Sequence, residues 1–390
     1  NNYNAAVPST VHDNTLLFEE HVGTTYYDLQ TNSSMQNRIY KYDDGTIGVT
    51  YILGYNHASA FDDRGTGYNY FDGNDWVAFS STRIEPDRTG WPSYAPLGEG
   101  GEVVVAHYAS AATEGLAFSW REEKGTGDWQ YFNVIGPGNS PGLAWPRLVT
   151  SGFNHSVMHL ITLTLPVANG GVIYEGMDGA LLYSRSTDGG TTWDPAHQII
   201  DLIGSDYYNH WSGDSYVIDA RDDVVAFVTG DSWTDLVMLK SMDGGDSWTK
   251  TVVWLNPYPF FDPSNPIVTD TFYCPDGSHD IAIDQTGKVH VVFGINRALC
   301  SDGSTLSWFP LVDGLGYWNE DRPLFSNDLH ALDPYGHPNS ELVEDYSLIG
   351  WAKDVNGNGV WDILGEIGLY YVGVSSMPTM VVDEMNQVFV

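Results

Sequence analysis

Basic residues are scarce in this chain of 390 residues: 16 Lys and Arg stand against 51 Asp and Glu, a formal charge of −35. So acidic a surface repels phosphate backbones and argues against nucleic acid as a partner, while it attracts divalent cations. The same composition suits proteins of salty habitats. Long apolar runs are missing too. No stretch of about 18 apolar residues exists, so no segment reads as a membrane span. Cysteine is nearly absent, and Cys274 and Cys300 are too few to staple a fold of this size. They either pair across neighbouring loops in an oxidising compartment or stay as buried thiols. Also missing are a Gly-rich nucleotide loop, a Ser-His-Asp signature and a C-x-x-C pair. The chain opens Asn1-Asn2-Tyr3 with neither Met nor a signal peptide, the form of a processed export product. The expectation is a secreted or cell-surface protein.

Aromatics, Gly and Pro are plentiful: 14 Trp, 24 Tyr and 15 Phe accompany 42 Gly and 19 Pro. Aromatics suit half-buried pleated strands, and Gly and Pro punctuate turns. The mixture predicts many short strands. At this length a single all-β domain over 1–390 is as natural as two average ones.

A turn followed by an alternating apolar run recurs along the chain. It reads Asp44-Gly45-Thr46-Ile47, then Gly100-Gly101-Glu102-Val103, Arg221-Asp222-Asp223-Val224 and Thr286-Gly287-Lys288-Val289, with a looser copy at Ser151-Gly152-Phe153 and a last one at Asp383-Glu384-Met385-Asn386. Each follows a short apolar strand, so the chain contains six hairpins. After the first five come a further strand, a polar turn and a Trp: Trp76, Trp129, Trp193, Trp248 and Trp361. An insertion from about Ala298 to Tyr346 precedes the last. Four antiparallel strands repeated radially make a propeller blade. The fold expected is therefore all-β, a six-bladed β-propeller of four-stranded antiparallel blades. Its last blade is closed by residues 1–30, chiefly Leu16 to Tyr27, by sequence beyond Val390, or by both.

Two turns share the pattern S-x-D-x-G-x-T/S-W: Ser186-Thr187-Asp188-Gly189-Gly190-Thr191-Thr192-Trp193 and Ser241-Met242-Asp243-Gly244-Gly245-Asp246-Ser247-Trp248. The Asp can accept its own turn's N–H groups, the Gly permits φ > 0, and the indole packs between strands. Weaker copies run Tyr70 to Trp76 and Ser119 to Trp129. These turns resemble the Asp box, or bacterial neuraminidase repeat, of sialidase-like propellers. The resemblance covers nearly the whole chain and implies turn-and-core roles for the box residues.

In the fifth repeat the box is replaced by Asp354-Val355-Asn356-Gly357-Asn358-Gly359-Val360-Trp361-Asp362, with Glu366 beyond. Oxygens at alternate positions of a tight loop suit Ca2+, which takes six to eight hard ligands. The candidate ligands are Asp354, Asn356, Asn358 and Asp362, the carbonyl of Val360, and Glu366. The loop resembles the calcium loops of integrin-type propellers, which implies a structural role.

Placed on the propeller scheme, Arg38, Arg64, Arg88, Arg147, Arg297 and Arg322 fall on the loop face, where a funnel would open. Forked guanidinium bonds there suit carboxylates and other anions, so Arg64, Arg147, Arg297 and Arg322 are candidate ligand-binding residues. The alternative is that these arginines neutralise neighbouring acids. Arg38-Ile39 with Gly45-Thr46-Ile47 is similar to the opening of sialidases, with Tyr40 in place of their Pro, and Ala60 to Gly65 occupies the loop of their acid/base Asp. The resemblance implies that Arg38 holds a sugar carboxylate and that Asp62 or Asp63 donates the proton, which needs a raised pKa. The candidate nucleophile is Tyr317 with Glu320. His155 and His159 lie four apart on one strand face, too far apart to chelate alone. Three functions follow as alternatives: a binder of glycans or other acidic ligands through the funnel, a scaffold module contacting neighbouring extracellular subunits, or an exo-glycosidase of sialidase type.

Overall fold

A computed structural model describes residues 20–35, 37–77, 79–109, 111–309, 312–350, 372–373 and 375–390. Among these residues the protein is an all-β chain of six antiparallel sheets, each built from strands consecutive in sequence. Sheet one holds Ile39–Lys41, Ile47–Leu53 and Gly65–Phe71. Sheet two holds Thr89–Leu97, Gly101–Tyr108, Leu116–Arg121 and Gln130–Val134. Sheet three holds Leu143–Ser151, Val157–Thr164 and Leu181–Ser186, and Gln198 trades both backbone bonds with Tyr183 at its edge. Sheet four holds Tyr216–Arg221, Val224–Thr229, Leu236–Ser241 and Thr249–Trp254. Sheet five holds Phe272–Ile283, Val289–Cys300, Leu315–Asn319 and Leu348–Gly350, with Leu306–Trp308 paired to its second strand. Sheet six shows Val381–Val382 and Val388–Phe389.

The hairpins close on a shared device. At three of the turns an Asp carboxylate collects the backbone N–H groups that the turn would otherwise leave unpaired. Asp44 accepts from Thr46, Asp284 from Thr286 and Lys288, and Asp383 from Met385 and Gln387, all within 3.1 Å.

Successive side chains on a strand point to opposite faces, and sheet four uses both. Val225, Phe227 and Leu239 belong to a core shared with sheets two and three. Their neighbours Ala226, Val228 and Met238 belong to a core shared with sheet five. Burial of each such side chain contributes about 1.5–3 kcal/mol relative to exposure.

The first strands of neighbouring sheets are stitched to one another. Tyr94 N–H donates to Asn37 O (2.7 Å), and Leu148 N–H to Ser93 Oγ (3.0 Å). Tyr216 OH donates to Trp145 O (2.8 Å), Ile283 N–H to Asp219 Oδ2 (2.9 Å) and Met380 N–H to Asp280 Oδ2 (2.7 Å). Five junctions thus run in chain order from sheet one to sheet six.

The two S-x-D-x-G-x-T/S-W turns fold alike. Ser186 Oγ takes Gly190 N–H at 2.8 Å, while Asp188 takes the N–H and hydroxyl of Thr192. Ser241, Gly245, Asp243 and Ser247 repeat that pattern. Trp248 sits between Tyr183 of sheet three and Phe227 of sheet four, with ring centroids 4.9 and 5.3 Å away. Trp193 likewise meets Phe118 of sheet two. In the weaker copy a buried carboxylate from another strand takes over. Glu102 accepts from Gly125 N–H, Arg121 Nε, Tyr68 OH and Tyr94 OH.

Residues 20–27 run against sheet one, where Tyr26 N–H donates to Gly54 O and Val22 O accepts from Asn69. One expectation changes. The third strand of sheet five, Leu315–Asn319, lies inside the stretch read as an insertion, because Trp318 (1% exposed) packs into the core where an outer strand was expected later. Cys274 and Cys300 are both buried and free, on strands that pair with other residues. Among the described residues no helix is long and apolar enough to cross a membrane.

Candidate functional site

The hairpin turns of neighbouring sheets meet at one end of the strands. Gly98 N–H donates to His155 O and Gln285 N–H to Asn386 Oδ1, while within sheet four Gly244 N–H of the Ser/Asp turn donates to Asp223 O of the hairpin turn. The links between second and third strands, such as residues 54–64, lie at the other end, termed the loop end.

Arg147 leads the first strand of sheet three into the centre of the loop end and is 2% exposed. Its Nη2 contacts Asp214 Oδ1 (3.0 Å) and donates to Ser34 O (2.8 Å). Ser34 is itself completely buried: its Oγ donates to Gly277 O and accepts from His279 N–H. The segment before sheet one thus crosses the centre and joins sheets three, four and five. Arg38 is drawn into the same place, where Gln30 supplies its side-chain and backbone oxygens. Burial, and then the neighbouring Arg147, lower the Arg38 pKa to about 9, while burial raises that of Asp214. Burial holds His107 and His279 neutral, each with a pKa of about 3. Arg64 lies at the rim with Nε on Thr89 O (2.9 Å), its guanidinium between the rings of Tyr27 and Trp91. Arg88 donates to Phe61 O and Ala60 O. These guanidiniums bond to the protein's own oxygens.

Asp63 clamps its loop by accepting from the N–H groups of Tyr55 and Asn56. Asp62 is exposed, and hydrogen bonding from Ser59 holds its carboxyl below the usual range, opposite to what a proton donor needs. Arg297 lies towards the loop end of sheet five, 4.6 Å from the centroid of Phe309.

Tyr317, Glu320 and Arg322 lie at the opposite end, since Leu315–Asn319 is the third strand and runs towards the hairpin turn. Tyr317 OH pairs with His290 Nδ1 (2.6 Å). Glu320 bridges to Lys240 (2.7 Å) and accepts from Val289 N–H. Arg322 stacks on Tyr317 and Tyr346. The structure therefore separates the candidate nucleophile pair from Asp62, Asp63 and Arg38. Arg322 also leaves the loop face assigned to it, for the same reason.

The calcium candidates Asp354, Asn356, Asn358, Val360, Asp362 and Glu366 lie outside the described residues. Among the described residues no three His, Cys, Asp or Glu side chains converge as metal ligands. His159 is fully buried, its ring nitrogens bonded to the hydroxyls of Ser151 and Tyr183.

Towards the turn end the first strands of all six sheets line one cavity of about 410 Å3. Asn37, Tyr40, Thr150, His155 and Arg221 give it a polar wall. Tyr40 OH lies 3.3 Å from His155 Nε2, and Arg221 Nε donates to Ile283 O. Asp219 and Asp280 also line it, each spending both oxygens on backbone N–H groups. Burial raises both pKa values, Asp280 to about 7. Sequence reasoning missed Ser34, Asp214 and this cavity. An Asp three or four residues before a hairpin turn was the available signal for Asp219 and Asp280.

No protein-family model matches the chain, and no curated protein matches its sequence. Solved structures resemble it in shape. A protein of unknown function from Dyadobacter fermentans is 11% identical, covering 72% of this chain and 86% of its own, with a TM-score of 0.39. The six-bladed β-propeller lectin of the fungus Aleuria aurantia is 12% identical over 71% of this chain and 77% of its own, TM-score 0.39. A Trypanosoma rangeli sialidase bound to the inhibitor DANA is 12% identical over 75% of this chain, TM-score 0.39, and the match spans 48% of that enzyme. At such identities the roles of side chains have to be read from this chain itself.

Proposed function

We propose that this chain is an exported, Asp-box propeller of six four-stranded blades that binds a glycan or another small acidic ligand on its axis without cleaving it. The five stitched junctions, and the lining of one cavity by the first strands of all six sheets, support the ring. The paired Ser/Asp turns support the Asp-box assignment. The observation that carries binding over hydrolysis is the separation of Tyr317 and Glu320 from Asp62 and Asp63 by the length of the strands. A glycosidase needs its carboxyl pair or nucleophile and acid on either side of one bond. The axial cavity has the size of a small-ligand site and a cation, Arg221, for an acidic group. Calcium on the 354–366 loop belongs to the same proposal and rests on its oxygen spacing.

A fluorogenic sialoside assay and calorimetric titration against a panel of acidic and neutral glycans test this together. The expected result is no turnover, with binding of acidic glycans that Arg221→Ala or Tyr40→Ala abolishes. Measurable hydrolysis would sink the reading. Silence towards every glycan would favour a scaffold contacting neighbouring extracellular subunits.

A further inference from the structure

Away from the axis, three segments meet at the loop-end rim of sheet four: residues 207–210, the 230–235 link and residues 256–261. They enclose a cleft of about 30 Å3, room for one water-sized group. Trp233, 4% exposed, lines it and stacks on Phe261 at 4.3 Å. Two exposed rings stand on its lip, Tyr207 (48% exposed) and Phe260 (55% exposed). Lys250 Nζ lies 4.2 Å from the Tyr207 ring centroid and helps hold that ring in place.

Two features of this cleft run against stability. Phe260 has φ = +55°, a region where a bulky L-residue is an outlier and its backbone is strained. Asn209 Nδ2 fixes it there by donating to its carbonyl at 2.8 Å. A phenyl left more than half exposed gains too little from burial to offset that strain. Secondly, Trp233 Nε1 and His210 Nδ1 are both buried without a hydrogen-bond partner. A buried polar group left unmet is destabilising. Beside them Asp235 is anchored by Asn256 N–H (2.8 Å) and Tyr208 OH (3.0 Å), with acceptor capacity left over.

The geometry points to a subsite for a neutral sugar ring, laid on Phe260 and Tyr207, with one hydroxyl entering the cleft towards His210 and Asp235. A pyranose has a C–H face for an aromatic ring and a rim of hydroxyls that both donate and accept. A neutral sugar fits better than an acidic one, because Asp235 would repel a carboxylate. The strain at Phe260 is then the means of presenting a ring to a ligand. This subsite does not depend on the axial cavity.

The test titrates the full chain with the methyl glycosides of glucose, galactose, mannose and fucose, followed by tryptophan emission and calorimetry. At least one should bind in the millimolar range. Phe260→Gly removes the phenyl but accepts φ = +55°, so it should melt no lower than the parent while binding weakens about tenfold, or about 1.4 kcal/mol. Tyr207→Ala should weaken it as well, and Tyr131→Ala, an exposed ring on sheet two, should not. A parent that binds none of the four, or a Phe260→Gly variant that binds like the parent, overturns the subsite. Binding that survives Phe260→Gly would belong to the axis and leave the preceding proposal standing.

Discussion

Arg147 and Asp214 form an ion pair of 3.0 Å with both side chains almost wholly buried, 2% and 1% exposed. Their attraction is strong where water is excluded, but so is the cost of stranding either partner. The pair also holds the Ser34 carbonyl, so it ties sheets three and four to the segment that enters sheet one.

Asp214→Asn should therefore destabilise the protein by about 3–5 kcal/mol, the usual cost of breaking a buried pair from one side. Urea unfolding monitored by tryptophan emission measures it. A loss below about 1 kcal/mol, the range of an exposed pair, would contradict the burial described.

Adjacent glycines of one turn should respond differently to the same change. Gly244 has φ = +67° with open space around it, so Gly244→Ala meets only the left-handed backbone penalty, on the order of 1 kcal/mol. At Gly245 an added Cβ would lie 2.0 Å from Tyr183 Oη, so Gly245→Ala should cost clearly more. Tyr183→Phe should recover part of the difference in a double-mutant cycle. Equal losses at the two positions would argue against this packing of the turn on sheet three.

Asp280 gives a pH signature. Burial raises its pKa from 3.8 to about 7, so the folded protein holds this proton more tightly than the unfolded chain. The group's contribution is fully present below pH 4 and is lost as pH rises towards 7. Asp280→Asn removes that titration. Its melting temperature relative to the parent should improve from pH 4 to 7 and then level off, whatever constant offset the lost acceptor adds. Melting curves that stay parallel across this range would remove Asp280 from the interior.

If the 354–366 loop holds Ca2+, saturating calcium should add roughly 1–3 kcal/mol of stability. Asp354→Ala should abolish the increment without altering the melting temperature in chelator. A parent indifferent to chelator would end the calcium assignment.

Much of the architecture was legible because its signals are local. Turn carboxylates such as Asp44, Asp284 and Asp383, and the Ser/Asp pairs at 186–188 and 241–243, act within a few residues of their own position. Strand pairing between consecutive segments follows from the same alternation. The centre was not legible, since Ser34, Arg147, Asp214 and His279 meet only through contacts more than 60 residues apart in sequence. Sheet five misled for a related reason. Its hairpin strands run 12 residues each, and the added Leu306–Trp308 strand disguised Leu315–Asn319 as part of an insertion. Formal placement of arginines by face failed at Arg322 on that account.

Because sheet four lends alternate side chains to two cores, neither plane beside it can be cut without baring oil to water. A fragment stopping at Trp254 would leave Ala226, Val228 and Met238 facing solvent and would stick to its neighbours rather than stand alone. The smallest piece of this molecule able to fold unaided is therefore larger than any one of its repeats, and melting should travel through adjoining sheets together.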